Sequence, residues 1–375
     1  MKKFNVVLLI LVVGISIGYI SCNNSEKKRD DTLISIDIEK INNEIHALSE
    51  NDKFSGCILL TDENRNPVYS YYYGYASRDY DVKINLDTKF NIMSITKPMT
   101  AVAIAKLIES GKINQSDFVS EYLDLKNVIF DKITVEQLLT HTSGLGDYFT
   151  EKYEEAYVMA YLKLCEDIND YSEAVELASL YFTPGEKWKY SNLGYHVLGL
   201  LIEKAAEMSY YSYINENIFV PTDMKNSGFW SYTETVENRA TRYHYNEKYG
   251  QWRRVADNRT LLRGTPAMGA FSTVDDLSKF MFALVHNNLL SDLLTNKVIT
   301  PKPELNSPSY GYGFHVNDDK IDHSGDGGGV GTQLTYYKNT SYILVILRSC
   351  PKINYTIIII YYMIIFLAIF YSSIF

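Results

Sequence analysis

Strand-like segments stand at both ends of the globular part of this chain and enclose a long stretch of helical pattern. That arrangement restricts the fold more than any other feature. Cys57 to Thr61 and Val68 to Tyr73 carry the residues of strands, separated by the polar turn Asp62-Glu63-Asn64-Arg65-Asn66. His315 to Val316, Thr332 to Tyr337 and Tyr342 to Leu347 supply three more. Ahead of the first strand, Ile38, Ile41, Ile45 and Leu48 recur at helical spacing within Ile36 to Leu48. The span from about Lys89 to Leu290 is mostly helical, with loops. Strands at both ends around a helical middle imply an α+β fold: a central antiparallel β-sheet, closed by sequence-distant segments and flanked by helices, plus a mostly helical subdomain. The active site is expected in the crevice between the two parts. No repeat is visible, and residues 32–350 read as one domain.

Composition removes several alternatives. The 375 residues are 46% hydrophobic and 22% charged, with 9 Pro and 21 Gly, which excludes collagen-like and largely disordered chains. Against 45 Asp+Glu there are 36 Lys+Arg, a balance of -9, so the basic surface needed to grip nucleic acid is not expected. Tyr is used 32 times, so a short motif containing Tyr is cheap to match by accident.

The N-terminus has the form of an export signal over residues 1–21. Lys2 and Lys3 are followed by the uncharged apolar stretch Val6 to Ile20. Ile20-Ser21-Cys22 then resembles the lipobox of bacterial lipoproteins, in which the Cys is acylated; a plain signal peptide or an uncleaved anchor also fits. Residues 22–31 are polar and read as a tether. The resemblance implies lipid attachment at Cys22 and an exported, membrane-anchored lipoprotein in the bacterial envelope. Cys57, Cys165 and Cys350 are too few and too scattered for a disulfide framework, and their spacing does not suit zinc. Residues 351–375 form an apolar tail without charge from Ile353 onward. It fits a second membrane anchor, an all-round buried helix or a frame-shifted ending.

Three short stretches carry the candidate chemistry. Ser94-Ile95-Thr96-Lys97-Pro98 runs into the helical pattern Ala101 to Ile108. Pro98 is tolerated only in the first turn of a helix, which pins the helix start at or near Ser94. Ser94 and Lys97 then share one face. A Ser hydroxyl needs a base within hydrogen-bond reach, and a Lys amine serves when burial lowers its pKa. The spacing S-x-x-K alone is weak, since Ser25/Lys28 and Ser349/Lys352 repeat it. Tyr190-Ser191-Asn192 follows the turn Thr183-Pro184-Gly185 and precedes the helical run Tyr195 to Ala206. Tyr-x-Asn also recurs, at Tyr213/Asn215 and Tyr337/Asn339. His323-Ser324-Gly325 leads into Asp326-Gly327-Gly328-Gly329, glycines that suit a hairpin and a strand edge where a substrate backbone comes close. Thr134-Val135-Glu136-Gln137 has the form of a capping box.

In this order the three stretches resemble the serine β-lactamase and penicillin-binding-protein superfamily, in its class C β-lactamase-like branch. Sibling motifs in class A enzymes are S-x-x-K, S-D-N and K-T-G. Leu138-Leu139-Thr140-His141-Thr142-Ser143-Gly144-Leu145, Phe182-Thr183-Pro184-Gly185 and Tyr310-Gly311-Tyr312-Gly313-Phe314 look like further landmarks of that family, so the resemblance spans Phe54 to Arg348. It implies a β-lactamase/transpeptidase-like fold and a serine hydrolase acting through an acyl-enzyme on an amide or ester. Ser94 would be the nucleophile, Lys97 its proton acceptor and Tyr190 a general base and acid. Asn192 would hold the substrate amide or orient Lys97, and with His323, Gly325 and Asp326 it would form the substrate site, with the N–H groups of Ser94 and Asp326 as the oxyanion hole. His141 aligns with a structural loop. The implied partners are a small-molecule or peptide substrate and membrane lipid at the N-terminal anchor. No metal or cofactor is needed. An inactive member that binds peptidoglycan or another envelope ligand is the alternative. His323 stands where the family carries Lys, and a neutral imidazole selects less strongly for carboxylate-bearing substrates.

Overall fold

β1 (Gly56–Thr61) and β12 (Tyr342–Arg348) are near-continuous apolar runs, the pattern of strands covered on both faces, and they pair with each other at the centre of the sheet. In this computed structural model the described residues are 38–50, 54–147, 165–246, 248–255 and 262–349. The signal segment, Cys22, the tether, Cys350 and the apolar tail lie outside them. Among the described residues no helix is long and apolar enough to cross a membrane.

The remaining strands are β2 (Pro67–Tyr73), β3 (Tyr75–Ser77), β4 (Val82–Lys83), β5 (Phe90–Asn91), β6 (Tyr243–Asn246), β7 (Gln251–Arg254), β8 (Phe271–Ser272), β9 (His315–Val316), β10 (Lys320–Gly327) and β11 (Val330–Tyr337). Six of them form one antiparallel sheet in the order β2-β1-β12-β11-β10-β9, so the two ends of the domain close it as expected. The register runs Gly56↔Arg348 to Thr61↔Ile343 across the seam. β10 was not marked by hydrophobic alternation, because His323-Ser324-Gly325-Asp326-Gly327 offers little to bury. It is held by pairing to β11 from Lys320↔Tyr337 to Gly327↔Val330. Gly329, at φ 80, makes the hairpin between them.

The helices are α1 (Ile38–Glu50), α2 (Thr96–Glu109), α3 (Val135–Leu139), α4 (Ser172–Glu176), α5 (Asn192–Ala206), α6 (Tyr210–Ile214), α7 (Val274–Val285) and α8 (Asp292–Val298). Tyr69, Tyr71 and Tyr73 on β2 donate to Asn42, Ser49 and Glu50 of α1 and tie that helix to the sheet. α7 packs on β1, β11 and β12. α2 is buried on nearly every side and packs against α5, α6 and α8, which makes it the core of the helical part. The capping box is present: Thr134 accepts from the Gln137 N–H, and Gln137 returns a bond to the Thr134 N–H. The middle of the chain is less purely helical than its pattern suggested. The pairs β5–β8 and β6–β7 lie within it, the second turning through Gly250 at φ 61.

Candidate active site

A short strand, a strained turn and a helix start place Ser94. β5 ends at Asn91, whose Oδ1 accepts from the Met93 N–H at 3.0 Å. Met93 lies at φ 47, a left-handed conformation that a side chain bearing a Cβ adopts only at a cost of about 1–3 kcal/mol. Its carbonyl accepts from Thr96 Oγ1 at 2.7 Å and from the Gly269 N–H at 3.3 Å. Those bonds over-determine the strained turn and present Ser94, half-buried, in the 3₁₀ turn Met93–Ile95 that leads into α2.

Lys97, one turn on, is fully buried. Its Nζ lies 2.7 Å from Asn192 Oδ1, 2.7 Å from the Ala267 carbonyl and 3.3 Å from Ser94 Oγ. The first two partners can only accept, so they take two N–H bonds. A neutral amine then has its lone pair left for the Ser94 hydroxyl. Burial lowers the Lys97 pKa to about 7, against a smaller opposing pull from the Asp147 carboxylate. The amine is therefore substantially neutral just above neutral pH, although its surroundings provide good hydrogen bonds.

Tyr190 closes over this pair. Lys97 Nζ stands 4.6 Å from the centroid of its ring, and the phenol interacts with the Ser94 hydroxyl. Burial drives that phenol upward, so it keeps its proton at neutral pH. The resemblance implied Tyr190 as a general base and acid; burial favours its proton-carrying form, beside an amine that can accept. Behind Tyr190 stacks a buried aromatic group: the His141 ring lies 4.4 Å from Tyr190, 4.9 Å from Tyr195 and 4.8 Å from Tyr310. His141 Nδ1 accepts from the Ser191 N–H at 3.2 Å, which fixes the loop before α5. His141 thus supports Tyr190 from behind.

Asn192 opens α5 and is nearly buried. Its Oδ1 holds Lys97, and its backbone N–H and Nδ2 donate to Asp147 at 2.8 and 2.9 Å. This is the geometry of a residue that orients Lys97, rather than one whose amide is free for a substrate. Two members of this cluster carried no sequence signal. Asp147 is a lone loop carboxylate, and Ala267 contributes only its main-chain oxygen.

β10 brings the last group alongside. Gly325 packs its Cα so closely on the Ser94 turn that an added Cβ would lie 2.5 Å from the Ile92 carbonyl and 2.8 Å from Met93 Cβ. β9 pairs with β10 only at Ile321 and Asp322, so the stretch from His323 to Gly327 keeps an unpaired edge on that side among the described strands. Asp326 lies on that stretch with its side chain exposed. His323 differs from the expectation. It is 2% exposed, with Nδ1 2.7 Å from the Ser324 carbonyl and Nε2 3.2 Å from the Tyr310 hydroxyl. Since a carbonyl cannot donate, Nδ1 carries the proton and Nε2 accepts from Tyr310. Burial keeps this ring well below the ordinary histidine pKa. It is a neutral strut under β10, with both nitrogens occupied, and does not present its ring to a substrate. Among the described residues no group of His, Cys, Asp and Glu could hold a metal ion, and Cys57 and Cys165 are buried thiols outside any disulfide.

A family model described as Beta-lactamase matches residues 41–353. Protein flp of Staphylococcus aureus strain MW2 is 28% identical over 355 residues, covering 90% of this chain and 63% of that protein. Penicillin-binding protein 4* of Bacillus subtilis strain 168 is 28% identical over 322 residues, covering 81% of this chain and 70% of that one. The chain therefore spans a little under two thirds of the first relative's length. Among solved structures, a penicillin binding protein from Bacillus halodurans superposes with a TM-score of 0.74 at 27% identity, covering 82% of this chain and 96% of its own.

Proposed function

The chain belongs to the Beta-lactamase family, a superfamily of serine hydrolases and penicillin-binding proteins, and from that premise we propose that it is an acyl-transfer hydrolase of the bacterial envelope that cleaves esters or amides through Ser94. One observation carries the reading. A buried amine with a pKa of about 7, tied to two obligate acceptors, stands 3.3 Å from a half-exposed serine on a strained turn.

Ser94 Oγ attacks the substrate carbonyl carbon while its proton passes to Lys97 Nζ. The N–H groups of Ser94 and Asp326 take the oxygen that becomes negative. As the tetrahedral adduct collapses, the Tyr190 phenol protonates the leaving oxygen or nitrogen and is recharged from Lys97. Water then attacks the acyl carbon with Lys97 again taking the proton; as the adduct collapses the C–O bond to Ser94 breaks and Lys97 returns that proton to Ser94 Oγ.

The neutral His323 supports the finer choice of substrate. A fixed cation for a substrate carboxylate is missing at the place where the family carries Lys, which favours simple esters and amides over β-lactams and peptidoglycan stems. The test is a panel of a short-chain ester, a cephalosporin and a D-amino-acid amide. The expected result is a higher kcat/KM for the ester than for the cephalosporin, with Ser94→Ala losing roughly 10⁴-fold or more. The reverse ranking rejects the substrate class. Absence of turnover on all three, with tight binding of a muropeptide, turns the assignment toward an inactive binding protein. Lipid attachment at Cys22 belongs to the same proposal, and the intact mass of the membrane-extracted protein checks it.

A further inference from the structure

Asp147 brings a carboxylate to the Lys97 centre without any motif to mark it. It is 7% exposed, and its Oδ2 accepts from both the Asn192 N–H and the Asn192 side-chain amide. Holding Nδ2 settles which way that amide points. Its carbonyl faces the Lys97 amine at 2.7 Å; a flipped amide would set N–H against N–H at one end and oxygen against carboxylate at the other. Among the described residues, the remaining groups around the amine carry no fixed charge. They are the Ser94 hydroxyl, the Ala267 carbonyl, the Tyr190 and Tyr195 phenols, and two buried imidazoles, His141 and His323. Burial holds both imidazoles well below the ordinary histidine value and both phenols above theirs, so all four stay neutral near pH 7. The pull that opposes desolvation of Lys97 comes from Asp147.

The geometry points to Asp147 as a positioning residue of the acyl-transfer centre: it locks the Asn192 amide in the orientation that holds Lys97 and, as a buried anion beside the amine, governs when Lys97 carries a proton. This rests on the reading of Lys97 as the acceptor of the Ser94 proton. A base works best when its pKa lies near the working pH, and desolvation without a counter-charge would make Lys97 too weak an acceptor. Asp147 restores part of that basicity while its Oδ2 is engaged by the Asn192 N–H and Nδ2.

The experiment measures the rate of Ser94 phosphonylation by a fluorophosphonate against pH, in the full chain and in two variants. Asp147→Asn keeps an acceptor oxygen and removes the charge; its acid limb is expected to move to lower pH by about one unit. Asp147→Glu keeps the charge and displaces it, so the limb stays while the maximal rate falls severalfold. Were Asp147 merely structural, both variants would lose rate or thermal stability without moving the limb. An unmoved limb in Asp147→Asn overturns the inference and leaves the serine-hydrolase reading standing. An unlabelled parent overturns both. Should Asp147→Asn fail to fold, Asp147→Ser removes the same charge and carries the same expectation.

Discussion

At the residue scale, Lys97 pulls stability and chemistry in opposite directions. Its pKa is lower in the folded state, about 7, than the ordinary 10.5. Between those values the unfolded chain binds more protons at this site than the folded one, so the stability of the parent must rise with pH across that window. Below about 7 both states are charged and the full penalty of burying the cation is present. Lys97→Met has no such titration. We therefore expect the stability of the parent relative to Lys97→Met, from urea midpoints, to increase steadily from pH 7 to pH 10; a difference that is flat across that range would mean that Lys97 is not desolvated as described. The pairing of Ser94 with Lys97 was legible from spacing, because Pro98 fixes where the helix starts. The neutrality of His323 was legible in kind but not in cause. Residue type gave a weak base; the buried Tyr310 hydroxyl and the Ser324 carbonyl that occupy both nitrogens were not readable.

At the scale of elements, the seam between β10 and the Ser94 turn sets the site. Gly325 lets the strand approach, and a Cβ there would meet the Ile92 carbonyl and Thr332 Oγ1 at 2.5 Å and Met93 Cβ at 2.8 Å. These are backbone, a β-carbon and a hydroxyl already bonded on both sides, so the strand rather than a side chain must move. Gly325→Ala is expected to reduce kcat at least tenfold, since small displacements of oriented groups are costly. It should also destabilise the protein by roughly 1–3 kcal/mol. Steady-state kinetics and urea unfolding check both; a variant with parental kcat would show that the seam does not set the geometry. β10 itself escaped the strand pattern, and for the same reason it works: glycines that admit a neighbouring backbone have no apolar face to alternate. The hairpin β6–β7 was missed differently, its Tyr-rich alternation lying inside a span read as helical. α3 was read well, because a capping box is a local signal that tertiary packing does not need to complete.

At the scale of the whole molecule, the sheet is closed by strands more than 280 residues apart, Gly56 pairing with Arg348. The same closure carries β10 past α2 and lets three distant stretches meet. The apolar runs at β1 and β12 made that closure legible, since neither can be satisfied without covering neighbours. The contribution of Asp147 and of the Ala267 carbonyl was not legible, because each depends on where a loop lies after folding. The most direct test of the convergence is to treat the protein with a fluorophosphonate above the Lys97 titration near pH 7 and to map the adduct by mass. The account predicts a single adduct, on Ser94, absent from Ser94→Ala. A folded protein that takes no adduct, or one that takes it elsewhere and keeps it in Ser94→Ala, would contradict it.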